Sequence, residues 1–152
     1  MNAYRTFRFV LPLVALALLG MAGYAVAAKS GGCQSFRVKG DFQIVVDRGS
    51  NRVVDLSGHA TPGGSFTGQF NGKQFHDADI AGSITLDFGG GNTLTYYQEL
   101  SFDPSVGLLV GTYTITGGTG QFAGASGSGD NVIVGADANG RGTFELDGTI
   151  CL

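Results

Sequence analysis

The stretch Phe36-Arg37-Val38-Lys39-Gly40-Asp41-Phe42-Gln43-Ile44-Val45-Val46-Asp47 decides the fold. Phe36, Val38, Phe42, Ile44 and Val46 share one face of an extended chain, while Arg37, Lys39, Asp41, Gln43 and Asp47 share the other. A period of two is that of a strand with one face buried and one in water. The same alternation returns in Val54 and Leu56, in Phe66 and Phe70, and in Ile80, Ile84, Leu86 and Phe88. It continues in Leu94, Tyr96, Leu100 and Phe102, in Leu109, Tyr113 and Ile115, in Val132 and Val134, and in Phe144, Leu146 and Ile150. Turn signals separate these runs: Arg48-Gly49-Ser50-Asn51, Thr61-Pro62-Gly63-Gly64, Gly89-Gly90-Gly91-Asn92 and Asn139-Gly140. The last is the strongest short hairpin signal. The pattern predicts roughly eight strands, and no window carries the spacing of a long amphipathic helix.

Composition agrees with an all-β domain. Of 152 residues, 27 are glycine and none is tryptophan; 14% are charged and 43% hydrophobic. Those proportions exclude a disordered acidic tail, a coiled coil and a basic nucleic-acid binder. Glycine recurs in the inward phase, at Gly40, Gly58, Gly68, Gly82, Gly111 and Gly148. Such glycines mark bends and close backbone approach in a tightly coiled small barrel. Alternatively, the missing side chains open a lumen for a ligand. The first alternative is favoured, and the second stays open.

Residues 1–28 have the layout of a secretory signal: Arg5 and Arg8, an apolar run from Phe9 to Val26, and small residues at Ala25-Val26-Ala27. An apolar run of this length could also anchor a membrane, but Pro12, Gly20 and Gly23 weigh against it. The expected organisation is a signal peptide at 1–28, a short segment at 29–35 carrying Cys33, and one β-barrel domain at 36–152. The mature protein is then secreted or periplasmic, with no membrane association. Without Arg5 and Arg8, seven Lys+Arg face twelve Asp+Glu, a net charge of about −5 that repels a nucleic-acid backbone.

Cys33 and Cys151 stand at opposite ends of the mature chain, and an exported protein keeps disulfides. The favoured state is an intramolecular bridge, against two free buried thiols or intermolecular pairing. A bridge makes the first and last strands neighbours, as a closed barrel requires.

Several motifs fail on context. Gly118-Thr119-Gly120-Gln121-Phe122-Ala123 matches a dinucleotide fingerprint, but the glycine-rich Gly124–Gly129 cannot supply the helix that receives a pyrophosphate. Gly127-Ser128-Gly129-Asp130 is one copy of a calcium repeat that needs tandem copies. Asp137-Ala138-Asn139-Gly140 begins like a calcium loop but lacks the distal glutamate, so a hairpin turn is expected. His59, His76, Asp77 and Asp79 read as solvated residues, with no metal site expected. Asp87, Glu99, Glu145 and Asp147 all fall in the outward phase, against a glycosidase pair. The inward polar residues are Tyr96, Gln98 and Tyr113, with Asp130 expected on their face. They form either a self-satisfied polar layer or the ligand-binding side of a small-molecule pocket.

The stretch Tyr113-Thr114-Ile115-Thr116-Gly117-Gly118-Thr119-Gly120-Gln121-Phe122-Ala123-Gly124-Ala125-Ser126-Gly127 resembles the strand–GGTGxF–G–x–x–G segment of allene oxide cyclases and dirigent proteins. As in those families, a strand like Gly142-Thr143-Phe144-Glu145-Leu146-Asp147-Gly148 comes next. The likeness runs from about Asn92 to Ile150. It implies a single eight-stranded antiparallel barrel, calycin-like, whose lumen takes apolar or phenolic ligands. One family cyclises an epoxide fatty acid, and the other steers radical coupling. The resemblance also implies a structural turn at Gly117, Gly118, Gly120, Phe122 and Gly124, with Phe122 plugging the barrel mouth. The cyclases' catalytic acid and proline find no aligned counterpart, so no catalytic residue is carried over. Avidins and lipocalins rely on tryptophans that this chain lacks.

These readings leave two functions. One is an exported barrel holding a small apolar or aromatic ligand and, without a cofactor, assisting its cyclisation or coupling. The other is a non-catalytic extracellular module with a packed interior, able to form a homo-oligomer through outward Val45, Val53 and Val110. A lumen above about 300 Å³ favours the first.

Overall fold

A computed structural model describes residues 31–48, 51–75 and 79–152; the export segment 1–28, with His76 and Asp77, lies outside the described residues. Among the described residues the chain forms β1 (Cys33–Arg48), β2 (Asn51–Thr61), β3 (Gly64–Phe75), β4 (Asp79–Asp87), β5 (Thr93–Asp103), β6 (Leu108–Thr119), β7 (Ser126–Ala136) and β8 (Arg141–Cys151). Each strand pairs antiparallel with the next, and β8 returns to β1, closing an eight-stranded barrel in chain order. Closure removes the exposed strand edges that an open sheet must protect.

The β1–β8 seam runs from Cys33 opposite Cys151 to Gln43 opposite Arg141. The expected disulfide joins Cys33 to Cys151 at one end of this ladder. On the outer face, Lys39 Nζ lies 2.9 Å from Glu145 Oε1, and Arg37 Nε 3.4 Å from Asp147 Oδ2. Both pairs are well exposed, so they add little beside the ladder and the disulfide.

Inward glycines face one another across the ladders: Gly40 and Gly58, Gly72 and Gly82, Gly129 and Gly148. A Cβ placed on Gly58 would lie 2.6 Å from Gly40 Cα, and one on Gly148 2.6 Å from Gly129 Cα. No side chain fits between backbones that close. These residues let a small sheet coil into a barrel. Aromatic rings occupy what space remains: a Cβ on Gly40 would sit 2.6 Å from the Phe144 ring, and one on Gly148 2.6 Å from the Tyr113 hydroxyl. Here the glycines serve close packing, and they do not hollow out a lumen.

The inward phase expected from the alternation holds on most strands, with Phe36, Val38, Leu56, Leu86, Leu94 and Ile150 buried. Strand β7 is the correction. Val134 is exposed and Val132 half-buried, whereas Asn131 is buried and Ile133 packs against the core. Asp130 is exposed rather than facing the tyrosines. The phase of β7 is set by its neighbours: Gly129 lies opposite both Tyr113 and Gly148, and a Cβ there would lie 2.6 Å from Gly148 Cα, so only glycine fits against the β8 backbone. Alternation from Gly129 then turns Asn131 and Ile133 inward and both valines outward.

Two outcomes test this architecture. Gly58→Ala, whose new methyl meets the β1 backbone, should lower stability by about 1–3 kcal/mol. The exposed neighbour Ser57→Ala should stay within about 0.5 kcal/mol; denaturant midpoints of the two variants measure the difference. Replacing both Cys33 and Cys151 by serine should cost up to about 4–5 kcal/mol on the chain-entropy estimate for so long a loop, read from the same unfolding curves.

Candidate functional site

The two ends of the barrel differ. The β2–β3, β4–β5 and β6–β7 connections and the disulfide gather at one end, and aromatic rings close it. Phe122, in the three-residue 3-10 turn Gly120–Phe122, is buried with its ring centroid 4.8 Å from that of Phe88, which in turn lies 5.8 Å from Phe66. Asn92 staples this turn to the β4–β5 connection. Its Oδ1 accepts from the Gln121 N–H at 2.9 Å, and its Nδ2 donates to the Gly89 carbonyl at 2.9 Å. The Thr119 hydroxyl donates to the Gly91 carbonyl at 2.7 Å. Gly120 and Gly124 adopt φ of 60° and 79°, left-handed values that favour glycine. The dinucleotide-like fingerprint therefore leads into a tight turn and not into a helix.

The opposite end is hollow. A cavity of about 270 Å³ enters between Ile44, Arg52, Phe102, Leu109 and Ile133, with Leu56, Ile84 and Phe144 further in. Phe102 is 49% exposed at the rim, where the alternation had placed it simply inward. Larger depressions of about 660 and 400 Å³ lie on the outer face of β1, β2 and β8 among exposed strand residues such as Asp41, Asp55 and Thr143. They are surface relief and not interior space. At about 270 Å³ the interior cavity falls short of the roughly 300 Å³ expected of a ligand-holding lumen, and the interior is not fully packed either; the space suits a molecule smaller than a drug-sized ligand.

Within these walls Arg52 is the one charged residue among the described lining, and Gln98 and Asn131 are the polar ones. Both amides are buried, at 5% and 1% exposure, and Asn131 Nδ2 donates to Gln98 Oε1 at 2.6 Å. The bond spans from β5 to β7 across β6. It can do so because Gly111, which pairs with Leu100 on one side and Asn131 on the other, puts no side chain between them. Asn131 is the residue that sequence reasoning missed. The glycine spacing Gly127, Gly129 carries its phase, but only the partner strands show that this phase points inward.

Gln98 thus reaches the cavity wall, whereas Tyr96 and Tyr113 are buried further along β5 and β6, outside the described lining. Their rings meet edge to face at 5.7 Å, and neither hydroxyl has a hydrogen-bond partner among the described residues. Burial raises the Tyr96 phenol well above its ordinary range, with a further push from Tyr113. Tyr113 is pushed up to about 12, first by burial and then by the charges of Asp147 and Asp130.

Asp87, Glu99, Glu145, Asp147 and His59 are all exposed. Asp137 accepts backbone N–H groups from Asn139 and Arg141 at 2.8 and 3.0 Å, which makes its segment a hairpin turn. Among the described residues no group of three or more His, Cys, Asp and Glu side chains comes together in a metal-binding cluster.

No protein-family model matches the chain, and no curated protein matches it. Solved structures do. The pterocarpan synthase dirigent protein GePTS1 superposes with a TM-score of 0.57 at 18% identity, over 80% of this chain and 86% of that one. The pterocarpan synthase dirigent protein PsPTS1 gives 0.53 at 16% identity, over 81% and 96%. The fold is therefore the dirigent-type barrel.

The buried phenols set an alkaline limit on this barrel. A phenol with a raised folded-state pKa keeps its proton where the unfolded chain has lost it, so its stabilising share is complete below the ordinary phenol value near 10 and is lost as pH rises through the folded value. Denaturant stability should fall steadily between pH 10 and about 12. In Tyr113→Phe that decline should be shallower, as urea unfolding at stepped pH will record.

Proposed function

We propose that this protein is an exported binding barrel that takes one small apolar or aromatic ligand into its open end. The observation that supports it is the asymmetry of the interior: one end is sealed by Phe66, Phe88 and Phe122, and the other retains an apolar cavity of about 270 Å³. The polar groups in the described walls are an amide pair and a guanidinium. Amides and a guanidinium hold and orient a ligand, and they lack the proton-transfer chemistry of a poised acid or base. Orientation of a bound molecule for cyclisation or coupling, without a cofactor, is the activity such walls support. Pterocarpan synthase dirigent proteins share the barrel, which is consistent with this reading. Residues 1–28 direct export, and the Cys33–Cys151 disulfide suits an oxidising compartment.

A second reading has its own support. Val45, Phe102, Val106 and Val134 are large apolar residues about half exposed, and they cluster toward the open end. Such a rim suits an interaction module whose cavity is incidental.

Native mass spectrometry of the protein from its exporting host separates the two. A small-molecule adduct that is lost on denaturation is expected, and Leu109→Trp, which fills the cavity from its wall, should abolish it while leaving the thermal midpoint within a few degrees. An adduct-free protein of discrete oligomeric mass would instead select the interaction module.

A further inference from the structure

We infer that the Gln98–Asn131 pair is the specificity determinant of the cavity, and that it selects a ligand carrying a neutral oxygen acceptor, a carbonyl or ether, at its buried end. The inference rests on the binding-barrel reading and adds the chemistry of the ligand.

Two buried amides in an apolar cavity are costly unless their hydrogen-bonding groups are matched. Asn131 Nδ2 occupies Gln98 Oε1 at 2.6 Å. What Gln98 chiefly has left to offer is its Nε2 group, a pair of N–H donors, beside the second lone pair of an Oε1 already engaged. Asn131 is 1% exposed, and its Oδ1, an acceptor without a partner among the described residues, is sealed from the cavity, so the groups a ligand can meet are the donors of Gln98. The pair is thus polarised: Asn131 holds the carbonyl of Gln98 and thereby presents the donors of Gln98. A neutral oxygen suits neutral donors, because a carboxylate at this depth would be desolvated without a facing charge. The cationic Arg52 lines the same cavity from β2, whereas the pair stands on β5 and β7. Gln98 contacts the ligand, and Asn131 is a positioning residue acting through it.

A purely structural role for the pair, bridging β5 and β7 over Gly111, makes a different prediction. It requires no preference between ligands of the same shape. Indane and indanone, rigid bicycles of similar size that differ by one carbonyl oxygen, separate the two roles. Binding is followed by isotope-edited NMR titration of the intact protein with each probe. In the wild type, indanone should shift the Gln98 side-chain NH₂ signals and indane should not. In Gln98→Leu the preference for indanone relative to indane should fall roughly three- to tenfold, the span of one neutral hydrogen bond, with indane affinity little changed. Asn131→Leu should reduce the preference in the same direction and broaden the Gln98 NH₂ signals, which a merely space-filling residue would not do.

An unchanged preference in Gln98→Leu, or silent Gln98 NH₂ signals on saturation with indanone, overturns the inference while leaving the cavity a binding site. Failure of both probes to bind the wild type overturns the inference and the binding reading together. Should Gln98→Leu not fold, the wild-type NH₂ shifts remain decisive.

Discussion

Backbone contact between neighbouring strands at paired inward glycines is the constraint on which the rest of the barrel depends. Gly40 with Gly58, Gly72 with Gly82, and Gly129 with Gly148 bring main chains so close that a methyl group on one member would strike the other strand. Sheets of this length flatten or splay unless something allows them to coil sharply. With the coil in place, β8 meets β1 over eleven paired positions and the disulfide joins residues 118 apart. Without it, Cys33 and Cys151 would lie on distant edges.

The same glycines shape the interior. Where a strand offers no side chain, rings from nearby strands fill the gap, as Phe144 does over Gly40 and Tyr113 over Gly148. This filling is dense at the end that carries the disulfide, where Phe66, Phe88 and Phe122 form a continuous plug. It stops short of the other end. The walls there are aliphatic residues and phenylalanines that do not meet across the barrel, and the cavity remains. Gly111 contributes differently: it clears the line between β5 and β7, so that Gln98 and Asn131 can meet across an intervening strand.

The placement of polarity inside the barrel depends on depth. Close to the sealed end, Tyr96 and Tyr113 keep their protons because the ionised form would be desolvated. Nearer the mouth, the amide pair and Arg52 give the cavity its few directional groups. The barrel shares its architecture with pterocarpan synthase dirigent proteins at under 20% identity. At that distance it is the wall residues of this chain that distinguish its chemistry, and the fold alone does not.

Period-two alternation from Phe36 onward and the turn signals made about eight strands legible in the sequence, the two cysteines favoured a closing disulfide, and the resemblance implied the antiparallel order of the strands. These are local properties: side-chain polarity sets a strand's period, and short turns set its direction. The inward face of β7 was not legible. Val132 and Val134 are more apolar than Asn131, yet phase is decided by what lies opposite, and Gly129 must face the β8 backbone at Gly148. Of the candidate polar residues, the sequence placed Gln98, Tyr96 and Tyr113 on one face but could not say that only Gln98 reaches the described cavity wall. Nor could it show Asn131 as the partner of Gln98, since that contact joins strands that are not neighbours. The sequence by itself determined the number of strands and the period of most of them, favoured the covalent closure, and through its family resemblance implied the barrel. Only the tertiary structure decided which end is hollow and which side chains line it, because both depend on how rings and glycines from non-adjacent strands share one volume.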